Sequence, residues 1–271
     1  MKLDEASVVL TGASGGIGAA TARALVDAGA HVLLVARDRT RLAALAQRLA
    51  TDMRDGQVAA LAVDIATADG RAQLREIAAA RQANVLINNA GIPCFGALEA
   101  IDDTKLAEVV TTNLVAPIAL TRALLPQLRR QRRAIVLNIG STLGRLGLPG
   151  FSVYAATKFG MRGFSESLRR ELAGSGVDVL YLAPRATRTR FNDARVDAYN
   201  RATGTREDEP ATVAHAVLRA LERHTPERQL GFPESLAVRL NALVPRWLDG
   251  AFVKHRTHVA ARPVPKETAP R

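Results

Sequence analysis

The sequence predicts an α/β domain, built on a doubly wound parallel sheet with helices on both faces. Two observations predict it. Short apolar runs alternate with longer amphipathic segments along most of the chain. A glycine-rich turn, which begins after Thr11, separates the first apolar run from the first amphipathic segment. A strand, a turn and a helix in this order are the usual start of a βαβ unit.

The strands are predicted from short runs that are rich in valine, isoleucine and leucine. Such runs are typical of parallel strands that are buried on both faces. In chain order they are Val8–Leu10, His31–Ala36, Val58–Val63, Asn84–Ile87, Ala134–Ile139 and Val177–Leu182. A further short strand near Gln229–Gly231 would complete the sheet.

The helices are predicted between these runs, where apolar residues recur at helical spacing. In chain order they are Gly16–Ala28, Arg39–Ala50, Asp69–Gln82, Lys105–Arg130 and Val153–Gly174. Each helix would carry the chain from one parallel strand to the next through a right-handed crossover. The alternation therefore predicts helices on both faces of one sheet.

The composition is that of one ordinary α/β domain. A chain of 271 residues with 48% hydrophobic residues can bury a large core. A single cysteine, Cys94, excludes an intramolecular disulfide framework. We expect Cys94 to have a packing role rather than a reactive one. The N-terminus has no signal-peptide pattern, and no uncharged stretch reaches the roughly 18 residues expected of a membrane-spanning helix. We therefore expect a cytoplasmic protein.

The chain carries 37 basic and 26 acidic residues, a net charge of +11. One interpretation is an anionic partner, either nucleic acid or a membrane surface. The alternative is a solvated surface, because much of the excess is arginine scattered over helices. Aromatic residues are only 4% of the chain, so platforms for stacking nucleic-acid bases are scarce. We therefore expect no nucleic-acid partner.

The glycine-rich turn reads Thr11-Gly-Ala-Ser-Gly-Gly-Ile-Gly18. Gly12 permits a tight turn, Gly16 lets the backbone approach a pyrophosphate, and Gly18 lets the helix pack closely on the sheet. The pyrophosphate would then face the amide groups and the positive dipole end of the helix. The turn predicts a dinucleotide site, although a glycine-rich turn without this context would be weak support.

The end of the second predicted strand indicates which dinucleotide is used. Enzymes that use NAD usually place a carboxylate there, which bonds the ribose 2′-hydroxyl. Here the position is Ala36, and Arg37 follows it. A guanidinium can hold a 2′-phosphate, with Ser14 in the glycine turn as a second donor. NADP(H) is therefore predicted over NAD(H); the alternative is that Arg37 is a loop arginine facing water.

A tyrosine and a lysine form the second chemical signal. Tyr154 and Lys158 are four residues apart and would share one helix face. Tyrosine has an unperturbed pKa of about 10, so it needs a nearby cation to act as an acid/base at neutral pH. We expect Lys158 and an oxidised nicotinamide to lower that pKa towards neutrality. Ser141, thirteen residues upstream, would donate a hydrogen bond to a substrate oxygen.

Taken together, these motifs resemble the classical short-chain dehydrogenase/reductase family over roughly residues 5 to 232. The resemblance implies a Rossmann-type sheet and hydride transfer between a carbonyl and an alcohol. It also implies that Lys158 binds the nicotinamide ribose and that Asn113 holds a water in a proton relay. Asp64 matches the family aspartate that meets the adenine amino group. Asn88 would support the fourth strand, and the backbone that follows it, at Asn89–Gly91, would line the cofactor ribose.

The expected catalytic residues are Asn113, Ser141, Tyr154 and Lys158. The expected cofactor-binding residues are Gly12, Ser14, Gly16, Ile17, Gly18, Arg37, Asp64, Asn89, Ala90, Gly91, Tyr154, Lys158, Pro184, Thr187 and Thr189. No metal is expected.

One segment departs from the family pattern. After the sixth strand the family usually has Pro-Gly, then a threonine four residues after the glycine. Pro184 and Thr189 fit this pattern, but Arg185 replaces the glycine. Arg185 would narrow the pocket, reach an anionic group of the substrate, or point outward. The replacement affects the expected shape of the pocket more than the hydride chemistry.

The remaining chain divides into three parts. Residues 185–210 are polar and rich in arginine, which fits the mobile substrate loop of the family. Residues 233–259 carry apolar side chains near helical spacing with basic residues among them, and Pro245 interrupts the run. This extension would be a membrane-surface anchor, a lid for a greasy substrate, or a helix packed on its own core or on a partner subunit. Residues 260–271 contain three prolines and are predicted to be disordered.

The predicted organisation is a catalytic domain over residues 1–232, a helical extension over 233–259 and the tail. The predicted function is an NADP(H)-dependent oxidoreductase that acts on a small-molecule carbonyl or alcohol, on a lipophilic or 3-oxoacyl-type substrate. Two alternatives remain: an NADP-binding sensor on the same fold, and an interaction protein at the membrane periphery. We also expect a homo-oligomer, either a dimer or a tetramer.

Overall fold

A computed structural model describes residues 1–50 and 56–259 of the chain. One sheet of seven strands runs through it, and every neighbouring pair of strands is parallel. The strands are β1 (Ser7–Thr11), β2 (His31–Ala36), β3 (Val58–Ala62), β4 (Val85–Asn88), β5 (Ala134–Ile139), β6 (Val177–Ala183) and β7 (Glu227–Gln229). Their spatial order is β3-β2-β1-β4-β5-β6-β7, which confirms the predicted Rossmann-type, doubly wound sheet.

Helices connect the strands and extend beyond the last one. They are α1 (Gly16–Asp27), α2 (Arg39–Ala50), α3 (Ala68–Ala80), α4 (Asp103–Val110), α5 (Ala116–Leu128), α6 (Ser152–Glu171), α7 (Ala194–Thr203), α8 (Pro210–Arg223), α9 (Glu234–Leu243), α10 (Pro245–Asp249) and α11 (Val253–Arg256).

Alternate residues of each strand pack into one of two hydrophobic layers. Val8 and Leu10 of β1 face the layer that contains α1, α2 and α8. Val9, between them, faces the layer that contains α3, α5 and α6. Because both faces of the sheet are covered, the strands read as continuous apolar runs in the sequence. The carboxyl ends of the strands stay uncovered by this packing, and they form the edge where an α/β sheet binds ligands.

Most element boundaries lie close to those predicted. The bounds of β2, α2 and β5 coincide with the predicted ones. The seventh strand begins two residues earlier than predicted, at Glu227, which pairs with Tyr181 of β6. It is short because it carries glutamate, arginine and glutamine rather than an apolar run.

Two helices were not predicted, α7 and α8. Helix α7 lies inside the segment 185–210, so describing that segment as a loop is incomplete. Asp193 begins α7 by accepting two backbone N–H bonds, and Gly204 ends it in the left-handed region at φ 67°. Helix α8 begins at Pro210 and buries one apolar side against α1, where Val217 is 0% exposed.

One helical stretch, Asp103–Leu128, consists of α4, a π-turn over Thr111–Val115, and α5. Among the described residues it is the one helix long and apolar enough to cross a membrane by length and composition. Leu120, Leu124 and Leu128 are fully buried on the side of α5 that packs against the sheet, while Arg122 and Pro126 are exposed. One buried side and one exposed side are typical of an amphipathic helix packed on a sheet.

Helix α9 follows β7 and packs near the turn after β5, where Asn241 Nδ2 donates to Arg145 O at 2.9 Å. Pro245 begins α10, so it interrupts the helical run as predicted. The predicted disordered tail, residues 260–271, lies outside the described residues.

Candidate active site

The carboxyl ends of β1 and β4 are joined by side-chain hydrogen bonds. Thr11 Oγ1 donates to Ile87 O at 3.2 Å and accepts from the backbone N–H groups of Asn89 and Ala90 at 3.0 and 3.1 Å. Asn89 Nδ2 donates in return to Thr11 O and Gly12 O at 3.0 and 3.1 Å. The glycine turn and the loop after β4 are therefore held as one rigid floor.

Three of the four glycines of the turn, Gly12, Gly16 and Gly18, lie where a side chain would collide. Gly12 has φ +64°, and a Cβ there would lie 2.8 Å from Ala90 Cα. A Cβ on Gly18 would strike Gly12 O, and one on Gly16 would strike the methyl group of Thr189. The turn is thus closed from below by β4 and approached from above by the segment after β6.

The first turn of α1 has free capacity to bind an anion. Its N-cap, Gly15, provides no side-chain cap, and no acidic residue occurs in the first turn. Gly15 and Gly16 are exposed, and Ser14 is half-buried beside them. Backbone N–H groups at a helix start have no partner within the helix, and the helix dipole favours negative charge there. The turn therefore fits a dinucleotide pyrophosphate.

The end of β2 presents one basic side chain. Ala36 is 8% exposed, and Arg37 after it is exposed. The neighbouring carboxylate of Asp38 is already engaged: it accepts from Arg41 N at 2.9 Å and pairs with Arg41 Nε at 3.2 Å. The guanidinium of Arg37 is therefore the accessible charge next to Ala36.

Asp64 lies at the same edge of the sheet. It follows Ala62, which is the parallel partner of Ala36. Asp64 is half-buried, and its Oδ1 accepts from Ala66 N at 2.9 Å. The side chain is thus oriented by its own loop at the adenine end of the expected site.

A buried chain of polar side chains supports the strands beneath the site. Asn88 Nδ2 donates to Asn138 Oδ1 at 2.8 Å and to Thr121 Oγ1 at 3.0 Å. Asn138 Nδ2 donates onward to Ser165 Oγ at 2.8 Å. These bonds connect β4, β5, α5 and α6, and Asn88 therefore lies where it was expected to support the fourth strand.

The catalytic candidates meet between β5 and α6. Ser141 follows β5 and begins a short 3-10 turn, where its Oγ accepts from Leu143 N at 3.1 Å. Tyr154 and Lys158 lie on the first two turns of α6. Lys158 Nζ is 5.7 Å from the centre of the Tyr154 ring and donates to Ile139 O at 3.1 Å. Ser141, Tyr154 and Lys158 are therefore brought together.

Burial dominates the proton affinities of this group. It raises the pKa of Tyr154 well above its usual range, and a hydrogen bond from Ser141 opposes the rise in part. Burial also lowers the pKa of Lys158 to about 8. The expected lowering of the Tyr154 pKa is therefore not seen in the protein itself, because desolvation of the phenol outweighs the hydrogen bond from Ser141.

Asn113 lies in the π-turn between α4 and α5. Its Oδ1 accepts from Ile92 N at 2.8 Å, and its Nδ2 donates to Ile92 O at 2.9 Å. Nδ2 also approaches Thr157 Oγ1 at 3.5 Å, and that hydroxyl donates to Tyr154 O at 2.7 Å. Asn113 thus borders the Tyr154 helix while its side chain holds the loop after β4.

The segment after β6 closes the site from the other side. Pro184 O accepts from Thr142 N at 2.8 Å, which ties this segment to the turn that carries Ser141. Thr187 is 7% exposed and donates to Arg185 O at 3.0 Å. Thr189 contacts the glycine turn, as described above.

Arg185 is held by two carboxylates of the chain. Its Nη2 lies 2.7 Å from Asp208 Oδ1, and its Nη1 lies 3.3 Å from Glu234 Oε2. These two carboxylates raise the pKa of the Arg185 guanidinium. Because the guanidinium is already paired, the structure disfavours the interpretation that it reaches an anionic group of the substrate.

The sequence profile of the short chain dehydrogenase family matches residues 6–200. The chain belongs to the short-chain dehydrogenase/reductase family. Its relatives include dehydrogenase/reductase SDR family member 7B of Xenopus laevis, 33% identical over 259 residues, which are 90% of this chain and 79% of the relative. They also include 3-oxoacyl-acyl-carrier-protein reductase FabG of Vibrio harveyi, 33% identical over 225 residues, 80% of this chain and 90% of the relative.

A solved structure shares both fold and sequence with this short-chain dehydrogenase. It is a variant of the actinorhodin polyketide ketoreductase with NADPH, 26% identical, with a TM-score of 0.75. The alignment covers 86% of this chain and 97% of that one. The chain is therefore an oxidoreductase of a family whose members bind nicotinamide dinucleotides.

Two side chains in this short-chain dehydrogenase were missed by the sequence analysis. Phe191 packs edge-on against Tyr154 with ring centres 6.1 Å apart, and its N–H donates to Thr189 Oγ1 at 3.2 Å. Tyr181 is 2% exposed and fills the space beside Gly140, next to the turn that carries Ser141. The one available signal for Phe191 was an aromatic residue in an otherwise polar segment.

An aromatic cluster forms a wall next to the start of α6. Phe95, Phe151 and Tyr199 pack with ring centres 4.8 to 5.5 Å apart. Val259, at the end of the described chain, packs against the same cluster. Cys94, just before this wall, is 5% exposed, and burial raises the pKa of its thiol, so the packing role expected of it fits.

Proposed function

We propose that the protein is an NADP(H)-dependent oxidoreductase that interconverts a carbonyl and a secondary alcohol, with Tyr154 as the acid/base. One observation carries the proposal: Ser141, Tyr154 and Lys158 converge at the carboxyl edge of the sheet, across from a glycine turn that can take a pyrophosphate. NADP(H) would supply or accept the hydride. The side chains of the site would hold the substrate oxygen and move the proton.

The proton chemistry follows from burial. The Tyr154 phenol is protonated at neutral pH, because its ordinary pKa is about 10 and burial raises that pKa further. It can therefore donate a proton to an alkoxide that forms on the substrate. The Ser141 hydroxyl would donate a hydrogen bond to the same oxygen. Lys158 is cationic below about pH 8 and would stabilise the phenolate left after donation. For alcohol oxidation the same groups would act in reverse.

The cofactor would lie along the floor made by β1 and β4. The amide groups at Gly16, Ile17 and Gly18 would hold the pyrophosphate, and Asp64 would meet the adenine. The backbone at Asn89, Ala90 and Gly91 would line the ribose, with Pro184, Thr187 and Thr189 opposite. We further propose that Arg37, with Ser14, binds a 2′-phosphate, since Arg37 is exposed and the adjacent Asp38 is neutralised by Arg41.

We propose a lipophilic or 3-oxoacyl-type carbonyl compound as the substrate. The aromatic wall of Phe95, Phe151 and Tyr199 supports this class, as does the Vibrio harveyi relative, named for 3-oxoacyl reduction. In this proposal residues 1–232 are the catalytic domain, and the extension 233–259 borders the substrate entrance through Val259. Buried apolar surface contributes about 25 cal/mol per Å², so efficiency should rise with alkyl length.

The protein is further proposed to be a cytoplasmic homo-oligomer. Leu106 on α4 and Phe159 on α6 are 39% and 42% exposed, and they offer apolar surface for a partner subunit. Light scattering coupled to gel filtration measures the mass in solution, and a monomer at all concentrations would contradict the proposal.

The competing function is a non-catalytic NADP-binding sensor. A sensor has no need of an intact Ser141, Tyr154 and Lys158 constellation, which favours the enzyme. NADPH oxidation should be measured against 3-oxoacyl thioesters, long-chain aldehydes, steroids and sugars, with Tyr154→Phe as the matched inactive control. Turnover that depends on Tyr154 supports the enzyme. Tight NADPH binding with no turnover on any class would favour the sensor.

A further inference from the structure

The outer side of α9 is apolar. Leu236, Leu240 and Leu243 recur at helical spacing and are 48%, 42% and 79% exposed. Phe232, just before the helix, is 68% exposed. The inner side of α9 packs through Val238, which is 2% exposed. Three leucines on one outward face, next to an exposed phenylalanine, form an exposed apolar patch, and such patches mark interaction sites.

The polar residues of α9 point the opposite way. Glu234 Oε2 pairs with Arg185 Nη1 at 3.3 Å, and Asn241 Nδ2 donates to Arg145 O at 2.9 Å. A surface helix ordinarily turns its apolar face to the core and its polar face to solvent. Helix α9 has this arrangement reversed, because its carboxylate and amide anchor it to the body of the protein.

Basic side chains accompany the apolar patch. Arg239 lies within the patch, three residues after Leu236 and four before Leu243, and is exposed. Arg246 in α10 is exposed as well, and neither arginine forms an ion pair with any residue in the described ranges 1–50 and 56–259. Over residues 234–249 the acidic residues are Glu234, already paired, and Asp249. The patch is therefore apolar and positively charged.

We propose that this α9 face, formed by Phe232, Leu236, Leu240, Leu243, Arg239 and Arg246, binds the surface of an anionic lipid bilayer. Apolar side chains on such a helix enter the boundary between headgroups and acyl chains. Arginine side chains extend their charged ends towards anionic headgroups. The pattern of apolar and basic residues matches both requirements.

Two other occupants fit the face less well. If a second copy of the chain packed on this face about a two-fold axis, the Arg239 side chains of both copies would lie in the same apolar interface. Like charges in a desolvated interface are unfavourable. The chain's own segment 260–271 offers only one branched aliphatic side chain, Val264, to cover three leucines. Charge complementarity therefore favours the bilayer.

The test is vesicle sedimentation of the full-length chain. Vesicles of phosphatidylcholine mixed with phosphatidylglycerol, whose anionic headgroups give the surface a negative potential, are compared with vesicles of pure phosphatidylcholine. Leu240→Glu/Leu243→Glu places charges in the patch at exposed positions, so the fold should survive. Leu98→Glu is the matched control, since Leu98 is 58% exposed on a different part of the surface.

A second pair of variants separates the local patch from the net charge. Arg239→Ser/Arg246→Ser removes two charges from the patch, and Arg129→Ser/Arg130→Ser removes two exposed charges at the end of α5. Each basic residue near an anionic surface contributes about 1 kcal/mol, so the first pair should lose roughly 30-fold in vesicle affinity. The second pair should stay within a few-fold of wild type.

The expected result is binding to anionic vesicles that weakens with salt, disappears in Leu240→Glu/Leu243→Glu and persists in Leu98→Glu. Tyr154→Phe should bind vesicles normally, so membrane binding can fail or succeed independently of the proposed activity. No binding to either vesicle, or equal binding by the Leu240→Glu/Leu243→Glu variant, would overturn the inference. The inference would also be overturned if the wild-type protein were an oligomer that bound no vesicles and the Leu240→Glu/Leu243→Glu variant were a monomer.

Discussion

In the proposed function, cofactor choice depends on the exposed guanidinium of Arg37, and replacing Arg37 gives a prediction with a definite size. Arg37→Ala removes the exposed guanidinium that follows Ala36 in the chain, and leaves the pair of Asp38 and Arg41 in place. A hydrogen bond to a charged group contributes about 1.5–3 kcal/mol. The lower end applies, because Arg37 is exposed to solvent that screens its charge.

A loss of about 1.5 kcal/mol corresponds to roughly a tenfold change, since about 1.4 kcal/mol is one factor of ten. We therefore expect wild type to prefer NADPH over NADH, and Arg37→Ala to lose about tenfold in kcat/KM for NADPH. The kcat/KM for NADH should change little, because NADH has no 2′-phosphate. Steady-state kinetics with both cofactors at one fixed carbonyl substrate measure the ratio.

Arg75→Ala is the control, because Arg75 is an exposed arginine of α3 and its loss changes the net charge equally. It should leave the cofactor ratio as in wild type. The reasoning fails if Arg37→Ala keeps the wild-type ratio, or if wild type uses NADPH and NADH with equal efficiency.

Three further perturbations test the site. Gly140→Ala would drive a Cβ into the ring of Tyr181, so this overpacking should lower the free energy of unfolding, measured with urea, by about 1–3 kcal/mol. The loss should be smaller in a Tyr181→Leu background. An unchanged urea midpoint in Gly140→Ala would contradict this contact. Phe191→Ala removes the ring packed on Tyr154, a pair worth about 1 kcal/mol, so kcat/KM should fall about fivefold while the Kd for NADPH stays within twofold; equal losses in both would place Phe191 in cofactor binding instead. Lys158 binds its proton less tightly in the folded protein than in the unfolded chain, so the unfolded state holds more protons between about pH 8 and 10.5. Cofactor-free wild type should therefore gain up to about 3 kcal/mol relative to Lys158→Met as the pH rises through that window, and a constant difference would show that the Lys158 pKa is not lowered.

The parts of the fold predicted best from the sequence are those governed by local pattern. The bounds of β2 and β5 were predicted correctly because each is a short and mostly apolar run between polar segments. Helix α8 was missed although Val213, Val217 and Leu221 form its buried side. The polar residues between Val213 and Leu221 are His215 and Arg219, so the apolar residues recur at helical spacing and the helix could have been predicted from this pattern.

In the site, too, the features set by local spacing could be predicted, and those set by contacts between distant parts of the chain could not. Tyr154 and Lys158 share a helix face by their spacing, and Ser141 follows an obvious strand, so their convergence could be predicted. The direction of Arg185 could not, because its partners Asp208 and Glu234 lie 23 and 49 residues away in the chain. Such pairings depend on how α9 and the segment 185–210 pack on the sheet.

The raised proton affinity of Tyr154 was also beyond sequence reasoning. The sequence shows a neighbouring cation, which favours the phenolate. It does not show how deeply the phenol is buried, and desolvation is the larger effect here. A half-buried, protonated tyrosine suits proton donation during carbonyl reduction.

The central claim is that Tyr154 transfers the proton, and one comparison tests it most directly. Turnover of wild type and Tyr154→Phe should be measured with NADPH and the best substrate of the carbonyl panel, alongside NADPH affinity by fluorescence titration. General acid catalysis contributes about 10²-fold or more, so turnover of Tyr154→Phe should fall by at least that factor, while NADPH affinity stays close to wild type. Near-wild-type turnover in a folded Tyr154→Phe enzyme would contradict the account.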